Sequence, residues 1–268
     1  MRWKTRAIAM VVIVVLMAVS FVIPVSAISD GEVAAPSAIL MEPNTGKILY
    51  EKNANELRPC ASITKVMTLL LVMEAIDSGK ISLDDQVTAS AHAASMGGSD
   101  IWLKEGETMS VNDLIKATVI MSANDAAVVL AEHVYGTEDE FVKQMNIRAK
   151  QLGMNDTTFK NCNGLDEDGH LTTAHDVALM SAELIKHEKI FDYTLTWMDY
   201  VRDGETQLVN TNKLIRSYKG ITGLKTGTTS QAGSCISATA KRDNLSLVAV
   251  VLGCSTTDER FTSASTLL

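Results

Sequence analysis

The chain has 268 residues, with 24 Lys and Arg against 32 Asp and Glu, and only 5% of its residues are aromatic. A net charge of −8 and so few aromatic side chains argue against a nucleic-acid partner, which needs a basic face and stacking platforms. The length suits one large domain or two modest ones.

The first 27 residues are typical of a secretory signal peptide. The basic segment MRWKTR precedes a continuous apolar run, and Val25, Ser26 and Ala27 form a small-x-small cleavage site. An uncleaved membrane anchor is the alternative, because the run approaches the length that spans a bilayer. Cleavage after Ala27 would leave residues 28–268 as the working domain, and would make it more acidic because the leader carries three basic residues.

The remaining sequence predicts strands at both ends and helices between them. Two apolar runs around the turn residues PNTG predict a hairpin over 37–52. The apolar spacing predicts helices over 62–78, 111–121, 125–134, 137–152 and 174–187, and a last helix from about Asp258. Two strands are expected over 234–241 and 245–253. We therefore predict an α+β fold, in which both termini build one antiparallel sheet and a helical block packs on it.

Four cysteines, Cys60, Cys162, Cys235 and Cys254, are distributed without a C-x-x-C pair or a histidine at metal-ligand spacing. A zinc site is therefore not expected. Export permits disulfides, but four cysteines allow three pairings and the sequence does not choose among them. We expect no structural disulfide, and we expect Cys235 and Cys254 to be buried thiols because their segments are apolar.

A serine and a lysine, Ser62 and Lys65, lie one helical turn apart at the head of an apolar run. Residues i and i+3 share a helix face, so a neutral lysine amine could take the serine proton and make a nucleophile. Free N–H groups at the helix start would stabilise an oxyanion there. The alternative is an ordinary helix start, with Ser62 as N-cap and Lys65 in solvent. The pair alone does not decide, because S-x-x-K occurs by chance about once in such a chain.

Two further motifs favour the catalytic interpretation. Ser122-Ala123-Asn124 lies between two predicted helices, and Lys225-Thr226-Gly227 precedes the C-terminal strand pair. In this order the three motifs are the signature of penicillin-binding proteins and serine β-lactamases. The segments GKILYEKNANELRPCASITKVMT, DLIKATVIMSANDAAVVLAEHVYG and GLKTGTTSQAG closely resemble the low-molecular-mass D-alanyl-D-alanine carboxypeptidases, and the likeness runs from about residue 37 to the end.

The resemblance implies a five-stranded antiparallel sheet flanked by helices, with the active site between the sheet and a helical block. It implies a secreted serine enzyme on the cell-wall side of the membrane, which removes the terminal D-alanine from peptidoglycan stem peptides through an acyl-enzyme. β-Lactam antibiotics would inhibit it, and no cofactor or metal is implied. Membrane contact is expected only through an uncleaved N-terminus or a missing C-terminal anchor.

The first two motifs imply the reacting groups. Ser62 would attack the carbonyl between two D-alanines, and Lys65 would be the base. Ser122 would relay a proton to the leaving amine. Asn124 would hold the peptide's amide through its two-sided side chain.

The third motif implies the carboxylate-binding wall. Lys225 would supply positive charge near the substrate's terminal carboxylate and would help to keep the catalytic lysine neutral by repulsion. Thr226 would hydrogen-bond that carboxylate. Gly227 would leave room for backbone approach on an edge strand. The resemblance implies that the backbone N–H groups of Ser62 and Thr228 form the oxyanion hole.

Several other residues with reactive or charged side chains lie outside the three motifs. Cys60 is expected to be a packed bystander rather than a redox sensor. His170 and His175 could suggest a triad, but a lysine already supplies the base and their segment predicts a helix start. Residues 97–99 predict a loop near the cleft. For Arg260 we expect a surface ion pair rather than contact with a substrate carboxylate.

Three alternative functions stay open. A serine β-lactamase shares the motifs, but the E-x-x-L-N setting of its water-activating glutamate is absent between Asn124 and Lys225. A non-catalytic, penicillin-sensing wall-binding module would not need every motif residue intact. A structural protein would carry the motifs only by accident.

Overall fold

The structure is a computed structural model, and it describes residues 28–29 and 31–268. The expected signal peptide, residues 1–27, lies outside the described residues. Within the described part of the chain, no helix is both long and apolar enough to cross a bilayer.

One five-stranded antiparallel sheet joins the two ends of the chain. Its strands are β1 (Ser37–Glu42), β2 (Lys47–Lys52), β7 (Ile221–Thr229), β8 (Gly233–Arg242) and β9 (Leu245–Cys254). The strand order is β2-β1-β9-β8-β7, so the strand that carries the K-T-G motif lies at an edge. Ser37 of β1 lies opposite Leu252 of β9. The predicted sheet made from both termini is therefore confirmed.

Alternate residues of β9 build two cores, one on each face of the sheet. Val248, Val250 and Leu252 belong to the large core beneath the helical block. Ala249 and Val251 belong to the smaller core, which the C-terminal helix covers. This is the period-two pattern expected of a strand that is buried on both faces.

The described residues form nine α-helices, of which six lie close to their predicted positions and three, of four residues each, were not predicted. They are α1 (Lys65–Asp77), α2 (Ala91–Ala94), α3 (Val111–Lys116), α4 (Asn124–Tyr135), α5 (Glu138–Gln151), α6 (Ala174–Leu184), α7 (Phe191–Thr194), α8 (Leu214–Ser217) and α9 (Thr257–Leu267). Thr137 and Thr173 cap α5 and α6 through their side chains, which accept backbone N–H groups.

Irregular turns replace parts of the predicted helices. The predicted helix over 62–78 begins with a 3₁₀ turn over Ala61–Thr64, and the helix over 111–121 ends in a π turn over Ala117–Met121. Both irregular turns adjoin a motif serine. A second 3₁₀ turn, Glu188–Ile190, follows α6.

Two small two-stranded sheets were not predicted. One pairs β3 (Gln86–Thr88) with β4 (Thr108–Ser110), and the other pairs β5 (Met198–Val201) with β6 (Thr206–Val209). Strands of three or four residues are too short to show a period in the sequence.

Candidate active site

Ser62 lies on the 3₁₀ turn, and the α-helix itself begins only at Lys65. Side chains at i and i+3 eclipse one another on such a turn. Consequently, Lys65 Nζ lies 3.0 Å from Ser62 Oγ. Ala61, just before the serine, has a φ of +50°, a conformation that costs a non-glycine residue about 1–3 kcal/mol.

Lys65 is fully buried, so the alternative of a solvent-exposed lysine at an ordinary helix start is wrong. Besides Ser62 Oγ, its Nζ contacts Asn124 Oδ1 at 2.6 Å and the carbonyl oxygen of Asn163 at 2.6 Å. Asn163 belongs to none of the three motifs, and its contact with the lysine was not predicted.

Burial lowers the pKa of Lys65 to about 7, while the carboxyl groups of Asp100 and Asp125 act in the opposite direction. We expected the pKa of Lys65 to be lowered by burial together with repulsion from Lys225; burial is the largest cause, and Lys225 is not among the groups that shift it. For Lys225 itself, burial, Lys65 and Arg260 together hold the pKa well below its usual range.

Asn124 is held on both sides in the free protein. Its Oδ1 faces Lys65, and its Nδ2 donates to the carbonyl oxygen of Gly97 at 2.6 Å. These contacts favour a role in orienting the lysine. The predicted contact with a substrate amide stays a prediction.

Two glycines flank the backbone of Ser62. A Cβ atom on Gly227 would lie 2.9 Å from both Ser62 N and the carbonyl oxygen of Cys60. A Cβ atom on Gly164 would lie 2.0 Å from the carbonyl oxygen of Ala61. The expected close approach at Gly227 is present, and Gly164, which was not predicted, allows the same approach from the other side.

A cleft of about 190 Å³ opens over the nucleophile. Its lining brings together residues of all three motifs and of the predicted 97–99 loop: Ser62, Ser99, Ser122, Thr211, Thr226, Gly227, Thr228 and Arg260. The side chains of Lys65, Asn124 and Lys225 are buried and do not line it. Lys225 Nζ donates instead to the carbonyl oxygen of Thr226 at 3.0 Å.

Ser122 ends the π turn in the left-handed region, with a φ of +67°. The hydroxyl makes no hydrogen bond to any other described residue, so it is free to meet a ligand. Ser99 fixes the neighbouring backbone, because its Oγ donates to the carbonyl oxygen of Met121 at 2.7 Å. Across the cleft, Thr226 Oγ1 donates to the hydroxyl of Thr211 at 2.7 Å.

Arg260 corrects the sequence-based expectation of a surface ion pair. The residue is only 6% exposed, because α9 packs against β8 and β9 and turns it toward the edge strand. Its Nη1 donates to Thr228 Oγ1 at 3.0 Å and to the carbonyl oxygens of Gly227 and Cys235 at 3.1 and 3.4 Å. Its buried Nε has no partner, and no described carboxylate forms an ion pair with it.

The histidines do not form a triad with the nucleophile. His170 is buried and bonded, with Nε2 2.8 Å from Thr64 Oγ1 and Nδ1 accepting from Lys160 N at 3.2 Å. Burial lowers the pKa of His170 to about 4. His175 starts α6, as its segment predicted, and lies 3.4 Å from Asp176 Oδ1.

The four cysteines are free and buried. At Cys60, next to the nucleophile turn, burial raises the pKa of the thiol to about 12. Its Sγ lies 3.4 Å from Thr64 Oγ1. A thiol that stays protonated and enclosed is a packing group, as expected for a bystander.

A serine and a buried lysine lie beside the edge strand of this five-stranded antiparallel sheet. This arrangement is that of the penicillin-binding proteins and DD-transpeptidases. Penicillin-binding protein D2 from Listeria monocytogenes, solved with ampicillin bound, is similar with a TM-score of 0.81 and 35% identity over 89% of this chain and 98% of that chain. Penicillin-binding protein 6B from Escherichia coli has a TM-score of 0.84 and 34% identity, covering 91% of this chain and 78% of that one. The predicted fold is confirmed.

Within that class, the family model of the D-alanyl-D-alanine carboxypeptidases, Peptidase S11, matches residues 24–256, and the chain belongs to this family. The D-alanyl-D-alanine carboxypeptidase DacF of Bacillus subtilis is 50% identical over 237 residues, which are 87% of this chain and 61% of that protein. DacC of Escherichia coli is 38% identical over 257 residues, covering 91% and 64%. The chain thus spans less than two thirds of the length of these relatives.

Proposed function

We propose that the chain is a secreted serine D-alanyl-D-alanine carboxypeptidase, which removes the terminal D-alanine from peptidoglycan stem peptides and is acylated by penicillin. The observation that carries the proposal is the 3.0 Å contact between Ser62 Oγ and the Nζ of the buried Lys65. In this proposal residues 1–27 direct export, and residues 28–268 act as the catalytic domain on the cell-wall side of the membrane.

The proton transfer follows from the surroundings of Lys65. A neutral amine has two N–H bonds and one lone pair. The two fixed acceptors, Asn124 Oδ1 and the carbonyl oxygen of Asn163, take the two N–H bonds. The lone pair then faces Ser62 Oγ, so that Lys65 accepts the hydroxyl proton as Ser62 attacks the carbonyl carbon.

The same lysine then holds the proton that the leaving group needs. Breaking the peptide bond frees the amine of the terminal D-alanine, and Ser122 would pass the proton to it across the cleft. The acyl group stays on Ser62 until water, activated by Lys65, releases it and restores the hydroxyl.

The backbone N–H groups of Ser62 and Thr228 form the proposed oxyanion hole. Both residues line the cleft, and Gly227 allows the edge strand to approach Ser62 closely. Donors of this kind, aimed at the developing charge, are each worth about 10²–10³ in rate.

Arg260 and Lys225, with the hydroxyl of Thr226, form the proposed site for the substrate's terminal carboxylate. Arg260 lines the cleft, keeps its proton at neutral pH and has no carboxylate partner in the described protein. Lys225 lies behind the cleft, and a bound anion would raise its pKa and favour its charged form. A free carboxylate would therefore be preferred to a C-terminal amide.

The test is mass spectrometry after penicillin treatment, with the modified peptide mapped. We expect one adduct, on Ser62, and neither adduct nor D-alanine release in Ser62→Ala. The matched control is Ser230→Ala, since Ser230 does not line the cleft. An adduct on Cys60 or Ser122 would overturn the assignment.

Two further outcomes would favour the alternative functions. Turnover of penicillin within seconds, instead of an adduct that lasts for minutes, would indicate a β-lactamase. Stable acylation without D-alanine release from any peptide would indicate a penicillin-sensing module.

A further inference from the structure

Trp102 is the most exposed large hydrophobic side chain in the described part of the chain, with 73% of its surface accessible. Its neighbours Ile101 and Leu103 are only 1% and 4% exposed. The φ of Trp102 is +55°, in the left-handed region that bulky residues avoid. The backbone is therefore strained at the very residue that presents an indole ring to solvent, which points to a function for the ring.

The segment that carries Trp102 is held on both sides. Asp125, the residue that follows the S-x-N motif, accepts the N–H groups of Ile101 and Leu103 at 3.2 and 2.9 Å. Arg202, in the turn after β5, donates to the carbonyl oxygen of Ile101 at 2.9 Å. These contacts fix the backbone on both sides of Trp102 relative to α4, whose first residue, Asn124, contacts Lys65.

Trp102 does not line the cleft itself, but it lies within reach of a residue that does. Ser99 lines the cleft together with Ser62, and its carbonyl oxygen accepts Asn124 N at 2.7 Å. Trp102 follows Ser99 by three residues, which span at most about 10 Å. An open depression of about 660 Å³ adjoins the indole, with Lys104, Glu105 and Arg202 among its lining residues.

A substrate that reacts at Ser62 would extend over the same distance. An extended peptide advances about 3.3–3.6 Å per residue, so residues two to four positions before the scissile bond lie about 7–14 Å from it. The sugar that carries a stem peptide lies farther away still. We therefore expect Trp102 to be within reach of the middle of the peptide rather than of the scissile dipeptide or the glycan.

We propose that Trp102 binds the stem-peptide residues upstream of the scissile bond and so determines specificity for longer peptides. The inference rests on the proposed function. An exposed indole has only two side-chain torsions, so it offers a large contact area at a small cost in side-chain entropy, and such residues often dominate binding.

The first test compares kcat/KM for D-alanine release from acetyl-D-Ala-D-Ala and from a pentapeptide that ends in D-Ala-D-Ala. In Trp102→Ala we expect a loss of at least about fivefold for the pentapeptide, mainly through KM. Dipeptide cleavage and penicillin acylation should not change. Trp102→Tyr should recover most of the loss. Leu245→Ala, which removes another exposed apolar side chain, at the start of β9, is the control.

The second test does not depend on catalysis. In Ser62→Ala, an uncleaved pentapeptide should shift the tryptophan emission to the blue as the indole leaves water. The shift should be absent in Ser62→Ala/Trp102→Phe, which keeps the other tryptophans.

Equal losses on both substrates, or no loss on either, would overturn the proposal for Trp102. A loss confined to substrates that carry the disaccharide would assign Trp102 to the glycan and would also overturn it. Failure of the wild type to release D-alanine from any substrate would contradict the proposed function instead, and the emission shift would still test Trp102.

Discussion

A buried cationic side chain lies on each side of the cleft: Lys65 beside Ser62, on what we call the nucleophile wall, and Arg260 beside the edge strand β7, on the sheet wall. The two differ in their hydrogen-bond partners and in how burial affects their charge. On the nucleophile wall, Lys65 Nζ contacts three oxygen atoms, and burial lowers its pKa to about 7. On the sheet wall, Arg260 is also buried, but its partners are neutral oxygens and its Nε has none. Burial makes a base of an amine that can lose its proton, whereas it leaves a guanidinium charged and ready for an anion.

The largest effect is expected when the lysine of the nucleophile wall is replaced. Lys65→Arg keeps the charge but cannot release a proton, so penicillin acylation should fall by about 10²–10⁴-fold. The measurement is the acylation rate at neutral pH, with Lys143→Arg as a control at an exposed lysine. An arginine variant that reacts at nearly the wild-type rate would reduce Lys65 to an electrostatic support.

The next effect concerns the contact between the two walls. Gly227→Ala would place a Cβ atom 2.9 Å from Ser62 N, which must push the edge strand away from the nucleophile turn. A displacement of this kind should lower kcat/KM by about 10²-fold. Gly31→Ala is the matched control, because an added Cβ there meets nothing within 4 Å. Unchanged kinetics in Gly227→Ala would mean that the close approach has no catalytic value.

The sheet wall is tested by the substrate's terminal charge. Arg260→Ala should weaken binding of the free acid by about 30-fold or more, because a buried charge pair is lost. The preference for the free acid over its C-terminal amide should decrease, and Lys225→Ala should act in the same direction. The assay is KM for both peptides, with the exposed Arg216→Ala as control. A strong preference for the acid in both variants would place the anchor elsewhere.

The smallest expected effect is the change of the acylation rate with pH, which reports the protonation of Lys65. Lys65 acts as a base only when neutral, so the acylation rate should fall about tenfold per pH unit below 7 and level off above it. A midpoint near 10, the value of a free lysine, would contradict the role of burial.

The same shift bears on stability. Because the pKa of Lys65 is lower in the folded than in the unfolded chain, its contribution to the free energy of unfolding is fully present above about pH 10.5. That contribution is lost as the pH falls toward 7. Urea unfolding across this window, compared with Lys65→Met, would measure it.

The three motifs could be found in the sequence because each is a local pattern with its own chemistry. Ser62 and Lys65 meet within one turn, so their contact needs no knowledge of the rest of the fold. Asn163, Gly164 and Thr211 were missed because they lie in loops and reach the site only through tertiary packing. No residue spacing in the sequence records that approach.

Arg260 shows where a general rule failed. Charged side chains are usually exposed, and its neighbours in the sequence are polar. Its burial follows from how α9 lies across β8 and β9, which the helix pattern alone does not determine. The fold class, by contrast, could be predicted from long apolar runs. The strands of the small sheets β3–β4 and β5–β6 are too short to show a periodic pattern in the sequence.

The pairing of β1 with β9 joins residues about 200 positions apart, such as Ser37 and Leu252, so the sheet depends on contacts that are among the slowest to form. A chain that emerges N-terminus first carries the serine and its lysine long before the strand that forms the opposite wall. The cleft is therefore complete only when the last strand, β9, takes its place between β1 and β8.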